Sequence, residues 1–193
     1  MHIKDEEFIR GRIPMTKEEI RMISIGKLDL KKDSILIDVG AGTGSIGIEA
    51  ATYLETGKVY AIEKKEMAIH LIRDNMEKFK INNLEIIHGN APEDLKIKKF
   101  NRMFIGGSSN NMEGIVDYFI KYSENNSILV INTIALETLS EVLKILKEKK
   151  EILKDIQIIN VSISKNKNIR DYTMMTGENP IYIISAKNKK IER

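Results

Sequence analysis

The stretch Asp38-Val39-Gly40-Ala41-Gly42-Thr43-Gly44 leaves this chain few ways to fold. It ends Ser34 to Val39, a short β-favouring apolar run, and it opens Thr43 to Leu54, where small and apolar residues recur at helical spacing. The glycines therefore sit on a strand-to-helix turn. Lacking Cβ atoms, Gly40, Gly42 and Gly44 permit positive φ and close approach. The unpaired N–H groups of the following helix start point at whatever binds there.

Two ligand classes use such a turn. Gly42-Thr43-Gly44-Ser45-Ile46-Gly47 satisfies the dinucleotide spacing GxGxxG, with acidic Glu63 roughly 20 residues further on. Asp38 favours the other class, because a carboxylate at the strand end repels a pyrophosphate and attracts the ammonium and sulfonium cations of S-adenosylmethionine. Glu63 closes a second apolar run, Lys58 to Ile62, and a carboxylate there accepts both ribose hydroxyls of either cofactor. Leu84 to His88 reads as a third strand. The Gly89 to Asp94 segment after it, including Asn90 and Ala91, offers small residues and backbone groups for an adenine.

The remaining pattern alternates. Thr16-Lys17-Glu18-Glu19 is a capping-box sequence, with Thr16 as N-cap of a helix to about Lys27. Met67 to Lys78, Met112 to Tyr122 and Leu136 to Lys149 are amphipathic, and Asn101 to Ile105 and Ser127 to Ile131 are strands four and five. Ile156 to Ser164 and Pro180 to Ala186 then form an antiparallel pair closing one sheet edge, joined by Lys165 to Asn179 without a convincing helix. The expected architecture is α/β: a Rossmann-like, class I S-adenosylmethionine-dependent methyltransferase sheet of seven strands, with the last strand antiparallel. We expect one domain over residues 1–193, with 1–30 as an arm and helix at the substrate rim and 187–193 as a charged tail.

Composition excludes several chemistries. With no cysteine there is no disulfide, thiolate metal site or Cys nucleophile. His2, His70 and His88 lack metal-ligand spacing and read as surface or packing residues, so no metal site is expected. The 31 basic and 28 acidic residues nearly balance and the basic ones are scattered, which argues against nucleic acid as a partner. Met1 to Glu6 is too polar for a signal peptide and no apolar run approaches the ~20 residues of a membrane span, so a cytoplasmic location without membrane contact is expected.

Several segments together are specific. Asp5-Glu6-Glu7-Phe8 with Arg10, Pro14-Met15-Thr16-Lys17-Glu18-Glu19-Ile20-Arg21, the glycine loop with Ile48-Glu49-Ala50, Gly89 to Leu95, and Phe104-Ile105-Gly106-Gly107-Ser108 resemble the decarboxylating precorrin C-15 methyltransferases of cobalamin biosynthesis, the CbiT type. The resemblance runs from about residue 5 to 187. It implies methylation of ring carbon C-15 of a late cobalt-precorrin (cobalt-precorrin-7), with loss of carbon dioxide from the C-12 acetate, cobalt arriving inside the substrate. It implies that Thr16, Gly40, Ala41, Gly42, Thr43, Gly44, Glu63 and Ala91 touch the methyl donor. It also implies a homotetramer, and a separate protein for the C-5 methylation that some relatives carry fused. Because a precorrin bears many carboxylates, Arg10, Arg12, Lys17 and Arg21 on the arm and Lys167 and Arg170 in the last loop are candidate holders, with Gly106, Gly107 and Ser108 as a floor for close substrate approach. A tRNA-base methyltransferase is the alternative, since the same sheet serves RNA enzymes, but interleaved aromatics and a dense basic face are missing.

Overall fold

A computed structural model describes residues 2–190. Met1 and residues 191–193, the end of the expected charged tail, lie outside the described residues. The polar arm makes a 3-10 turn at Asp5–Glu7 and leads into α1 (Glu18–Leu28). There follow β1 (Ile35–Val39), α2 (Ser45–Ala51), β2 (Lys58–Glu63), α3 (Glu66–Lys78), β3 (Leu84–His88), β4 (Arg102–Ile105), α4 (Met112–Tyr122), β5 (Ser127–Thr133) and α5 (Leu136–Glu148). β6 (Leu153–Val161), β7 (Ser164–Ile169), β8 (Tyr172–Gly177) and β9 (Ile181–Asn188) complete the chain.

Seven strands form one sheet in the order β3-β2-β1-β4-β5-β9-β6. The first five are parallel, and β9 runs antiparallel to both β5 and β6, between which it is inserted. Alternation along β1 sends Ile37 and Val39 to one face, with Phe100, Phe119 and Val142, and Leu36 to the other, with Ile20, Ile48 and Ile72. Burial on both faces explains why the inner strands read as continuous apolar runs. α2 is buried along its whole length, which is why it has no polar stripe. No helix among the described residues is long and apolar enough to cross a membrane.

Four readings need correction. Thr16 does not cap α1: Lys17 holds the N-cap position and no side-chain cap bond forms, so the box residues are used elsewhere. Glu18 accepts from the Asp5 N–H at 3.0 Å, and Glu19 pairs with Lys165 at 2.7 Å. The segment joining the last two sheet strands is a second antiparallel ladder, β7–β8, whose mixed polar and apolar residues are exposed on both faces and so carry no burial pattern. Lys187 and Asn188 belong to β9 rather than a tail; Asn188 is fully buried and donates to Ser123 Oγ at 2.8 Å. Arg21 is also fully buried and is no surface cation.

Arg21 reaches four groups. Its Nε donates to Glu49 on α2 at 2.7 Å, one terminal nitrogen donates to Asp5 at 3.0 Å and to the Thr16 carbonyl at 2.7 Å, and the other donates to the Ile3 carbonyl. Its guanidinium also lies 4.9 Å from the Phe8 ring centroid, and Phe8 in turn packs on Phe79. The arm is thereby folded back on the sheet's α1–α2 face. On the opposite face, Phe119 is fully buried against Phe100 at 6.2 Å between ring centroids. Phe119→Ala is expected to lower stability by about 3–5 kcal/mol through lost burial and the cavity left behind. Urea unfolding monitored by circular dichroism measures the loss; a shift under about 1 kcal/mol would mean the α4 face is not close-packed.

Candidate active site

The chain leaves β1 to pair with β2 on one side and β4 on the other, so the loops after β1 and β4 diverge and leave a crevice at their carboxyl ends. A cavity of about 940 Å³ occupies it. Gly40, at φ 70°, is forced by proximity: a Cβ there would lie 2.7 Å from the Gly107 carbonyl oxygen on the neighbouring loop. Gly42, at φ 58°, donates its N–H to Glu63 Oε2 at 3.0 Å, and a Cβ there would sit 3.1 Å from the Pro14 carbonyl oxygen of the arm. The glycines are thus required where the loop is squeezed between the arm and the β4 loop.

Both acidic residues lie at the ends of adjacent strands and line the cavity. Glu63 is almost buried. Its Oε1 accepts from the Lys64 and Lys65 N–H groups at 2.9 and 3.0 Å, while Oε2 holds Gly42. Of the roughly four acceptor sites of a carboxylate, this leaves one, on Oε2, for a further donor. Asp38 is 1% exposed, and one oxygen accepts the Gly47 N–H of α2 at 3.0 Å. Burial pushes its carboxyl up to about 7, against the lowering effect of the Gly47 bond, and the nearby Glu63 charge pushes the same way as burial. An uncompensated negative charge beside a cavity is a place for a cation.

Of the ten residues expected at the cofactor, Thr16, Asp38, Gly40, Ala41, Gly42, Glu63, Asn90 and Ala91 line this cavity. Thr43 and Gly44 do not. Thr43 is buried behind the loop, its carbonyl accepting from Asn75, and Gly44 packs toward Ile48 and Ile72. These two are corrected from contact positions to positions that shape the turn. Gly106, Gly107, Ser108 and Lys17 line the cavity as expected. Arg10 does not; it borders a separate shallow groove shared with Lys17 on the arm. Arg12 is exposed, and Lys167 and Arg170 lie on the exposed β7–β8 ladder and its turn.

The sequence reading passed over Met15 and Pro14 of the arm, Asn132, Thr133 and Thr138 around the end of β5, and Gly177, Glu178 and Asn179 at the foot of β8. The strand-end rule that located Glu63 applies equally to Asn132 and Thr133, so that signal was available. Nothing local marks Glu178. Ser109 and Asn110 also line the cavity with φ of 50° and 65°, a conformation uncommon for serine and typical of strain kept at functional loops. Asn111 ends that loop by accepting from the Gly114 N–H at 3.2 Å, capping α4. The histidines stay outside: His2 pairs with Glu49, and His70 and His88 both face Glu66 at 3.4 Å.

Comparison with known proteins agrees with this geometry. A probable cobalt-precorrin-6B C(15)-methyltransferase (decarboxylating) of Methanocaldococcus jannaschii is 42% identical over 185 residues, covering 95% of this chain and 97% of that protein. The crystal structure of a precorrin-6y C5,15-methyltransferase from Geobacter metallireducens superposes with a TM-score of 0.90 at 32% identity, covering 96% of this chain and 97% of that one. That of a precorrin 8w decarboxylase from Methanobacterium thermoautotrophicum does so with a TM-score of 0.88 at 28% identity, covering 95% and 98%. The precorrin methyltransferase domain matches residues 8–187, nearly the whole described chain, and this protein, an enzyme, belongs to that family.

Proposed function

We propose that this chain, as one methyltransferase domain, transfers a methyl group from S-adenosylmethionine to ring carbon C-15 of a late cobalt-precorrin and removes the C-12 acetate carboxyl as carbon dioxide. The observation that carries the reading is the pair of carboxylates at adjacent strand ends, Asp38 buried and Glu63 braced by three amides, on one cavity large enough for a nucleoside and part of a macrocycle. When bound, S-adenosylmethionine supplies an electrophilic methyl group on a sulfonium. Asp38 faces its cationic end, Glu63 takes a ribose hydroxyl on its remaining acceptor site, and Asn90 and Ala91 border the adenine, with Gly40 to Gly42 as the backbone wall.

The substrate side is walled by Gly106, Gly107 and Ser108, by Ser109 and Asn110, and by Asn132, Thr133, Thr138 and Asn179. Lys17 is its cationic rim. Glycines leave room for a flat ring, and the hydroxyl and amide groups hold it by neutral hydrogen bonds. Methylation forms the C–CH3 bond with an electron pair of the ring carbon while the bond to sulfur breaks. No base is needed in that step, and the residues' task is alignment. In decarboxylation the C–CO2 bond pair passes into the ring and the former acetate carbon takes a proton; a wall that is neutral apart from Glu178 and Lys17 strips solvent from the carboxylate and favours its loss. The reading places the protein in the cytoplasm.

Homotetramer formation belongs to the same reading. One face of the β7–β8 ladder exposes Ile169, Tyr172 and Met174, with Tyr172 74% exposed, an apolar patch typical of contact surfaces. Light scattering after chromatography should give a tetramer for the native chain and smaller species for Tyr172→Asp with Met174→Asp; a native monomer would remove the assembly from the proposal.

The decisive experiment is anaerobic incubation with S-adenosylmethionine and the C-5-methylated cobalt-precorrin, followed by mass spectrometry. Gain of one methyl with loss of carbon dioxide is expected. Donor binding with an unchanged tetrapyrrole would sink the substrate assignment and direct attention to RNA.

Asp38 adds a pH signature. Its folded-state carboxyl titrates at about 7, above the ordinary 3.8, so in the ligand-free protein it is protonated below that pH. A raised carboxyl contributes stability at low pH that is lost as pH rises toward 7. A cation favours the ionised form, so donor binding releases a proton and affinity for S-adenosylmethionine should rise with pH up to about 7, then level. Asp38→Asn should flatten both profiles, measured by calorimetry in buffers of differing ionisation enthalpy. A pH-independent native affinity would separate Asp38 from the cation.

A further inference from the structure

The arm meets the rest of the molecule through three buried polar side chains, Glu49, Asn75 and Arg21, none of which lines the cavity, and the last two hold the ends of residues 10–15. Asn75 on α3 is fully buried. It accepts the Ile9 N–H at 2.7 Å, donates to the Ile9 carbonyl at 3.0 Å, and reaches the Thr43 carbonyl of the glycine loop at 3.3 Å. Arg21 holds the Thr16 carbonyl and, through Glu49, the helix that follows the same loop. Each anchor therefore ties the arm and the glycine-loop unit together. Among the described residues, 10–15 make no hydrogen bond between these two points. Yet Ile13, Pro14 and Met15 line the cavity, and the Pro14 carbonyl lies against Gly42.

A span bonded only at its ends is placed by its ends. We propose that Asn75 and Arg21 are positioning residues for the methyl donor, holding residues 10–15 as a strap across the glycine loop so that the cofactor binds between strap and loop. This rests on the reading of the cavity as the S-adenosylmethionine site. Burying a guanidinium and an amide is a poor way to stabilise a fold, since apolar side chains of similar volume do so at least as well. What such groups supply is a unique geometry, here at Ile9 and Thr16 on either side of the strap. Phe8, buried between Arg21 and Phe79, adds an apolar peg to the first anchor.

The test is calorimetric titration of S-adenosylhomocysteine into the full chain and its Asn75→Ala and Arg21→Lys variants, each shown to be folded by circular dichroism. The expected result is native binding and about tenfold or greater weakening in both variants; turnover at saturating donor should stay within about twofold, so that KM for the donor carries the loss. Folded variants that bind as the native protein does would overturn the strap and leave the cofactor site standing, whereas a native chain that does not bind would overturn the site and the strap together. An independent probe serves if the anchor variants do not fold. The chain has no cysteine, so Met15→Cys places a single thiol where the strap lines the cavity. S-adenosylhomocysteine held under the strap should cover that thiol and slow its alkylation by about fivefold or more; an unchanged rate with ligand bound would overturn the proposal.

Discussion

Everything in the site follows from the parallel pairing of β1 with two partners, β2 and β4, reached in opposite directions along the sheet. Right-handed crossovers then place α2 and α3 on one face, where α1 also packs, and α4 and α5 on the other, because the winding reverses at β1. The loops that leave the reversal point have no partner above the sheet. Asp38, Glu63, Gly106 and Asn132 lie at the carboxyl ends of four neighbouring strands, β1, β2, β4 and β5, and face this opening.

The arm converts that open crevice into a walled cavity. Its attachment is polar and buried, with Arg21, Glu49 and Asn75 all at 1% exposure or less, and the bonds go chiefly to backbone atoms of the arm. α1 touches both sides of the cavity: Arg21 faces α2, the helix after the glycine loop, whereas Ser24, one turn on, receives a hydrogen bond from Asn132 at the end of β5 at 2.9 Å. A shift of this helix would be felt on both sides together.

The parts legible in the sequence were those governed by short-range rules. Strand-end acids and the glycine turn were placed correctly because periodicity fixes where a strand stops, and α4 begins and ends at the expected residues because its apolar stripe is unbroken. Thr43 and Gly44 were read as contacts because a motif does not say which of its members face inward; sharing the turn, they lie behind it. Arg21 was read as a rim cation because local pattern marks an arginine as exposed, while its partners Glu49 and Asp5 lie 28 and 16 residues away. The β7–β8 ladder was missed for a different reason: with neither face buried, its residues carry no alternation to detect.

Glu63 differs from a flexible surface acid in one respect that matters for selectivity. Three backbone N–H groups hold its two oxygens, so the carboxylate has no rotamer to which it can retreat. On the proposed reading, a ribose with a free hydroxyl finds an acceptor already aimed, whereas a nucleotide phosphorylated at the same sugar would bring negative charge against a carboxylate held in place. Selection by charge rather than by size would then be built into the peptide backbone that follows β2.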